Sequence, residues 1–437
     1  MRNKNRKKGT SRSIIDSEND DKSNVVLDED IVCDILSRLP VKSLLRFKCV
    51  SKRWCSLIQD PYFVDLHFAR SKARQHLLVA EPLPQKLNRR NVPGNMTKGR
   101  HPMHLLTAET FLQERGTVNS TTLNSVIHTM KNTNTFSFET YVGPVNGLIC
   151  FTNKHSVCMY NISTRDVTPW VKSTLQKEVK EMYGKDISIR SHGFGFDPAT
   201  KEYKVVCMWT GYIWETDNFW EVLTVGHNTW RKINDIPPYT RGFTDSGVYV
   251  NGSIYWCTWK HNGDADFIVA FDVGCEMLRT IQIPNFILHQ PLELHVLRER
   301  FFQVLEVDGR IAILHKMSAY TVKVWIYEDG DKERSISTTT DTCENWWDEK
   351  SIILPVKWLQ RRYLYFHTAV GAGQMILEIH RKDFTEFLYS YDWKRNTFKE
   401  IIITGIPSIE VHRLEKLFAS YTESMFSVSP AEKKCCI

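Results

Sequence analysis

The stretch MYNISTRDVTPW (159–170) reads as a strand ending in an aromatic residue, a turn opened by an Asx residue, and a second strand. The same order returns in VLTVGHNTWRKI (222–233), AFDVGCEMLRTI (270–281), WIYEDGDKERSI (325–336) and SYDWKRNTFKEI (390–401). Measured at Asn161, Val225, Asp272, Glu328 and Asp392, the spacings are 64, 47, 56 and 64 residues. Further strands lead these units in at VNGLICF (145–151), VNGSIYWCTW (250–259), VDGRIAILHK (307–316) and RRYLYFHTA (361–369). Asn-Gly and Asp-Gly supply the positive φ angles of two-residue hairpin turns. A turn-linked strand unit recurring about every 50 residues is the pattern of a β-propeller blade. The uneven spacing leaves a β-sandwich of similar hairpins as the alternative.

Outward from these units, residues 141–405 form the expected β domain. Twelve of the chain's 13 Trp lie from residue 141 onward. Residues 406–437 are set apart as a C-terminal extension, with a weak helical period in EVHRLEKLFASY (410–421). On the other side, residues 68–140 mix Pro, Gly, Asn and Lys with short apolar bursts and read as a linker and lead-in to the β domain. Residues 1–23 are polar and charged and are expected to be a disordered basic tail.

Residues 24–67 differ from both flanks. Asp28, Glu29 and Asp30 give the acidic first turn a helix favours, Ile31, Ile35, Leu36 and Leu39 follow at helical spacing, and Pro40 stops the run. A second helix is expected from about Ser43, carrying Leu44, Leu45, Phe47 and Val50. A third, around Lys52–Gln59, carries Trp54, Leu57 and Ile58 until Asp60-Pro61 ends it. The fold class is therefore α+β multidomain, a small three-helix module ahead of an all-β domain. Some forty residues rarely bury enough surface to stand alone, and apolar residues lie on more than one face of these helices, so the surplus should be an interface.

The run ILSRLPVKSLLRFKCVSKRW (35–54), within residues 27–67, closely resembles a plant F-box, although Asp28 stands where that family usually has Pro. GPVNGLICF (143–151), NISTRDV (161–167), GFGFDPATKEYKVVCMW (193–209), EVLTVGHNTWRKI (221–233) and IVAFDV (268–273) resemble the F-box-associated domain of plant proteins. The resemblance implies the substrate-recognition subunit of a Skp-cullin-F-box ubiquitin ligase, docked on a Skp-type adaptor and, through it, a cullin. By motif match, the adaptor contacts would come from Leu27, Ile31, Ile35, Leu36, Leu39, Pro40, Leu44, Val50 and Trp54. The β domain would hold an unknown protein target. Trp209, Trp214 and Trp220, in MWTGYIWETDNFW (208–220), are the candidate target-facing residues, with packing between blades as the competing role.

Charge argues against a nucleic-acid partner. The chain's net charge of +7 divides into +9 over residues 1–140 and −2 over residues 141–437, so the basic excess sits in tail and linker. That basic third lacks the interleaved aromatics on which bases stack. A nucleic-acid reader using residues 1–140, or a scaffold that delivers no target for degradation, remains an alternative to the ligase reading. No run reaches the ~18 apolar residues of a membrane helix, and MRNKNRKK leads into no apolar signal segment, so a soluble chain of the nucleus and/or cytoplasm is expected.

No catalytic residue, cofactor or metal is expected. The eleven Cys show no CxxC pair and the His are scattered. GFGFDP (193–198) lacks the Lys and Ser/Thr of a phosphate loop and leads into a strand. Cys150 and Cys158 sit at alternating β positions and read as core thiols rather than nucleophiles.

Overall fold

The computed structural model describes residues 28–74, 76–82, 103–109, 120–129, 138, 140–184, 187–211, 218–227, 229–234, 236, 242–243, 246–259, 267–290, 302–318, 320–328, 347–355, 361–367, 374–381, 386–404 and 417–428. The basic tail 1–23 lies outside these residues.

Four helices open the chain: α1 (Glu29–Leu36), α2 (Val41–Phe47), α3 (Lys52–Gln59) and α4 (Pro61–Ser71). Local chemistry sets their boundaries. Asp28 caps α1 by accepting from the Asp30 N–H, and Ser51 caps α3 by accepting from the Trp54 N–H at 3.1 Å. Asp60 ends α3 and caps α4, accepting from Tyr62 and Phe63, with Pro61 at the first helical position. The module thus has four helices rather than three. The Asp-Pro read as a stop is also a start.

The β domain is a propeller, which removes the β-sandwich alternative. Its strands, in chain order, are β1 (His76–Pro82), β2 (Met103–Glu109), β3 (Ser120–Thr129), β4 (Thr140–Val145), β5 (Leu148–Thr152), β6 (Ser156–Asn161), β7 (Val171–Lys172), β8 (Ile187–Asp197), β9 (Glu202–Gly211), β10 (Asn218–Thr224), β11 (Trp230–Ile233), β12 (Gly242–Phe243), β13 (Val248–Val250), β14 (Ser253–Trp259), β15 (Phe267–Asp272) and β16 (Leu278–Gln282). They continue as β17 (Phe302–Val307), β18 (Arg310–Lys316), β19 (Thr321–Tyr327), β20 (Trp347–Ile353), β21 (Arg361–His367), β22 (Gln374–Arg381), β23 (Glu386–Asp392), β24 (Thr397–Thr404) and β25 (Leu417–Tyr421). Two further helices, α5 (Leu175–Tyr183) and α6 (Asn285–Leu288), lie in connections between sheets.

Five sheets result: β4–β7, β8–β11, β12–β16, β17–β20, and an eight-stranded sheet of order β21-β22-β23-β24-β3-β2-β1-β25. The last is two four-stranded halves joined by the parallel pair β24 and β3. Strands β25, β4, β8, β13, β17 and β21 neighbour one another around the axis. The ring closes where β25, from the C-terminal end, pairs antiparallel with β1, from the N-terminal side.

This closure draws on two spans that lie outside the β domain expected from sequence. Within the span read as linker and lead-in, the described residues finish α4 and supply β1, β2 and β3 to the propeller. Within the C-terminal extension, Leu417–Tyr421 is a strand that pairs with β1, where the residue spacing suggests a weak helix.

The turns follow the sequence closely. Val145↔Leu148, Val250↔Ser253 and Val307↔Arg310 close two-residue hairpins over Asn146-Gly147, Asn251-Gly252 and Asp308-Gly309, each with positive φ at both residues. The Asx turns repeat a second device. Asn161, Asp272 and Asp392 each accept from the backbone N–H groups two and three residues on, and the residue four on (Arg165, Glu276, Asn396) takes positive φ. Asp197 and Lys201 repeat the arrangement between β8 and β9.

Hydrophobic side chains of alternating strand residues fill the gaps between sheets. On β9, Val205, Cys207 and Trp209 pack in one cluster, while Val206 and Met208 pack in the next. The GFGF run is part of this packing. A Cβ at Gly193 would stand 2.4 Å from Trp256 Cζ2, so the glycine lets β8 lie flush on the neighbouring sheet.

Candidate functional site

The N-terminal helices present two kinds of apolar residue. Cys33, Leu36, Val41, Leu44, Ile58 and Phe63 form the buried core. On the outer face of α1, Ile31 and Ile35 are 50% and 51% exposed, and Val50 after α2 is 64% exposed. Pro40 is exposed, while Leu39 and Trp54 are half-buried. Trp54 packs edge-on against Phe47 at 5.3 Å, which ties α3 to α2.

Of the nine residues assigned to adaptor contact, Ile31, Ile35, Pro40 and Val50 are exposed, and Leu39 and Trp54 present part of their surface. Leu36 (2% exposed) and Leu44 (0%) are buried, packed with Cys33, Val41, Ile58 and Phe63. Leu27 lies outside the described residues.

Sequence reading missed what holds this face in shape. From α4 and the turn just after it, three polar side chains at i, i+3 and i+7 reach the end of α1 and the turn that follows it. His67 Nε2 is 3.0 Å from the Leu39 carbonyl, Arg70 Nη1 donates to the Asp34 carbonyl at 2.8 Å, and Arg74 Nη1 donates to the Arg38 carbonyl at 2.7 Å. The Asp34 carbonyl is one that the end of α1 leaves without an intrahelical donor, and those of Arg38 and Leu39 lie in the turn that follows. The Asp34 carboxylate accepts from Arg38 and from Arg70, and those two hydrogen bonds hold its pKa below the usual carboxylate range. His67 is fully buried, and burial pushes its pKa down. The spacing HxxRxxxR was visible in sequence, but its partners lie about 30 residues upstream.

At the propeller, the hairpin and Asx turns share one end of the strands, and the β8–β9 turn there meets α4. Lys201, in the β8–β9 turn, pairs with Asp65 of α4. Lys204 donates to the Val273 carbonyl (2.8 Å) and pairs with Glu276 (2.9 Å), linking the second sheet to the third. Asn251 Nδ2 donates to the Gly309 carbonyl at 2.6 Å, linking the third to the fourth.

Trp209 and Trp220 do not face a partner. They are 0% and 2% exposed, set edge-on against Trp230 and Trp256 at 6.1 and 5.5 Å. Their strand positions point them into the gaps between sheets, which is the competing role named for them. Trp214 lies outside the described residues.

The thiols of Cys150 and Cys158 are buried, and burial raises both pKa values, as it does that of Cys257, pushed up to about 12. A buried neutral thiol is a poor nucleophile. Among the described residues, no group of three or more His, Cys, Asp or Glu is placed to hold a metal ion. No helix among them is long and apolar enough to cross a membrane.

The architecture is a helical module joined to a β-propeller. Comparison with known families identifies both parts: the F-box domain matches residues 26–66, and the F-box associated beta propeller domain matches residues 106–426. The chain belongs to the family of F-box proteins with an F-box-associated β-propeller. Its relatives include two Arabidopsis thaliana proteins. F-box protein At4g19940 is 28% identical over 86% of this chain and 86% of its own length. F-box protein At2g21930 is 24% identical over 92% and 94%. Among solved structures, TolB of Acinetobacter baumannii aligns over 83% of this chain and 73% of its own, with a TM-score of 0.41 and 10% identity.

Proposed function

We propose that this chain is the substrate-recognition subunit of a Skp-cullin-F-box ubiquitin ligase. The F-box docks on a Skp-type adaptor and through it on a cullin. The propeller holds a protein target for ubiquitination and proteasomal degradation. The observation that carries the reading is the exposure of three large apolar side chains, Ile31 and Ile35 on α1 and Val50 after α2, on a module whose core is otherwise closed. Burying such side chains contributes about 1.5–3 kcal/mol each before the cost of association. In this reading the chain is not itself catalytic and positions the target for chemistry done by other subunits. It works in the nucleus and/or cytoplasm.

The target would be gripped at the propeller end remote from the F-box, where β9 ends at Gly211 and β10 begins at Asn218, with Trp214 the candidate contact. The test is capture of a purified Skp-type adaptor by the full chain, with Ile31→Asp/Ile35→Asp as the control. Capture by the wild type and loss by the variant supports the reading. Absence of capture by a folded wild type ends it.

A further inference from the structure

The run Tyr421–Phe426, just past the last strand, belongs to two structures at once. On the propeller side, Asn161 Nδ2 donates to the carbonyls of Ser424 (3.1 Å) and Phe426 (2.8 Å), and the Ser424 N–H donates to Ser163 Oγ at 2.8 Å. The hairpin at Gly147 is pressed so closely on the run that a Cβ there would lie 2.6 Å from the Thr422 carbonyl oxygen. Tyr421 itself ends β25 and pairs with His76 of β1.

On the F-box side, Met425 is 8% exposed and packs in the cluster of Leu36, Val41, Leu44 and Phe63. Phe426 sets its ring edge-on to Phe68 of α4 at 5.2 Å. Glu423 Oε2 accepts from the Val41 N–H, the first of α2, at 3.1 Å. That helix starts on Pro40, which offers no side-chain acceptor, and Glu423, about 380 residues away, accepts from one of the N–H groups the helix start leaves open.

We infer that the run Tyr421–Phe426 is a structural part of the F-box as well as of the propeller, and that Glu423 and Met425 are positioning residues for the α1–α2 turn at Leu39-Pro40. The F-box of this chain is therefore not autonomous. Met425 completes its core and Glu423 fixes the start of α2, while the same backbone is fastened to the propeller by Asn161 and Ser163. Docking module and propeller form one cooperative body, and Lys201–Asp65 is a second point of attachment. For adaptor binding the inference rests on the docking reading above; for folding it stands on the contacts alone.

The test uses the full chain and two readouts. Calorimetric unfolding of the wild type should show one transition. Glu423→Ala/Met425→Ala should split it, with the earlier step losing helical signal, and Glu423→Gln/Met425→Leu should restore a single transition. Affinity for the Skp-type adaptor should fall about fivefold or more in the Ala pair and return in the conservative pair. Two transitions in the wild type, or wild-type unfolding of the Ala pair, would overturn the inference. A wild type that unfolds in one step and splits on substitution, yet never binds the adaptor, would leave the shared run standing and remove the docking reading.

Discussion

His67 on α4 holds the carbonyl of Leu39, 28 residues earlier, with its Nε2 at 3.0 Å. Its Nδ1 is buried with no hydrogen-bond partner among the described residues. A carbonyl oxygen only accepts, so Nε2 is the nitrogen that donates to it. The ring is a neutral brace under the α1–α2 turn, and Leu39-Pro40 keeps its shape because α4 reaches back to it.

A pH dependence follows. Burial lowers the pKa of His67 in the folded chain, so below the ordinary histidine value of about 6.5 the unfolded state binds more protons than the folded one. Stability is then highest above that value and falls as pH drops through it toward the lowered pKa. We expect the midpoint of helical unfolding to fall between about pH 7 and pH 5, and His67→Gln to flatten that slope. A profile equally steep in His67→Gln would place the effect elsewhere. His67→Ala leaves the Leu39 carbonyl without its donor and should cost about 1–3 kcal/mol in urea unfolding.

The exposed and buried faces of the F-box separate binding from folding. Ile35→Asp changes a half-exposed side chain, so we expect near-wild-type unfolding together with a loss of adaptor affinity of about tenfold or more. Leu44→Asp puts a carboxylate into a fully closed core and should unfold the module. Circular dichroism beside adaptor titration distinguishes the two. Equal effects of both substitutions on folding would show that the α1 face is not free.

Local chemistry was the legible part of this fold. The Asn-Gly and Asp-Gly hairpins, the Asx turns at Asn161, Asp272 and Asp392, and the Lys52–Gln59 helix are all written within a few residues of where they act. What the chain does not write locally is closure. Nothing in LFASY (417–421) marks it as the partner of HLLVAEP (76–82), because a strand added across more than 300 residues carries no turn signal. The docking face was half legible for a related reason. Helical spacing identified the apolar positions, but only the packed neighbours tell that Leu36 and Leu44 face inward while Ile31 and Ile35 do not. Trp209 and Trp220 repeat the lesson, since an aromatic-rich strand has the same composition whether it grips a partner or fills a gap.

Gly193 tests the packing account of the GFGF run. Gly193→Ala places a Cβ 2.4 Å from Trp256 Cζ2 and 2.6 Å from Ile254 Cγ2. Both neighbours are buried, so the strain should reach about 1–3 kcal/mol and lower the propeller's thermal midpoint. Gly184, with positive φ but nothing within 4 Å of a new Cβ, is the control for backbone effects alone. A Gly193→Ala chain as stable as wild type would remove the close approach as the reason for that glycine.

Glu221 on β10 is fully buried and accepts from Ser173 Oγ at 2.5 Å and Thr174 Oγ1 at 2.8 Å. Ser173 Oγ in turn accepts from the Leu175 N–H, so the carboxyl anchors the first turn of α5 to the second sheet. Burial raises the pKa of Glu221. The folded state therefore binds more protons than the unfolded one above the ordinary Glu value of about 4.3, and stability declines as pH rises from there through the raised pKa. Glu221→Gln removes the ionisable group while its amide still satisfies both hydroxyls, which can turn to donate or accept. We expect it to unfold close to wild type and to lose that decline. Glu221→Ala leaves two hydroxyls and a cavity, and should cost about 1–3 kcal/mol with faster hydrogen exchange across Leu175–Tyr183. Unchanged exchange in α5 with the Ala variant would show that the helix is held by Leu175 and Val179 in the core beneath it, and not by the carboxyl.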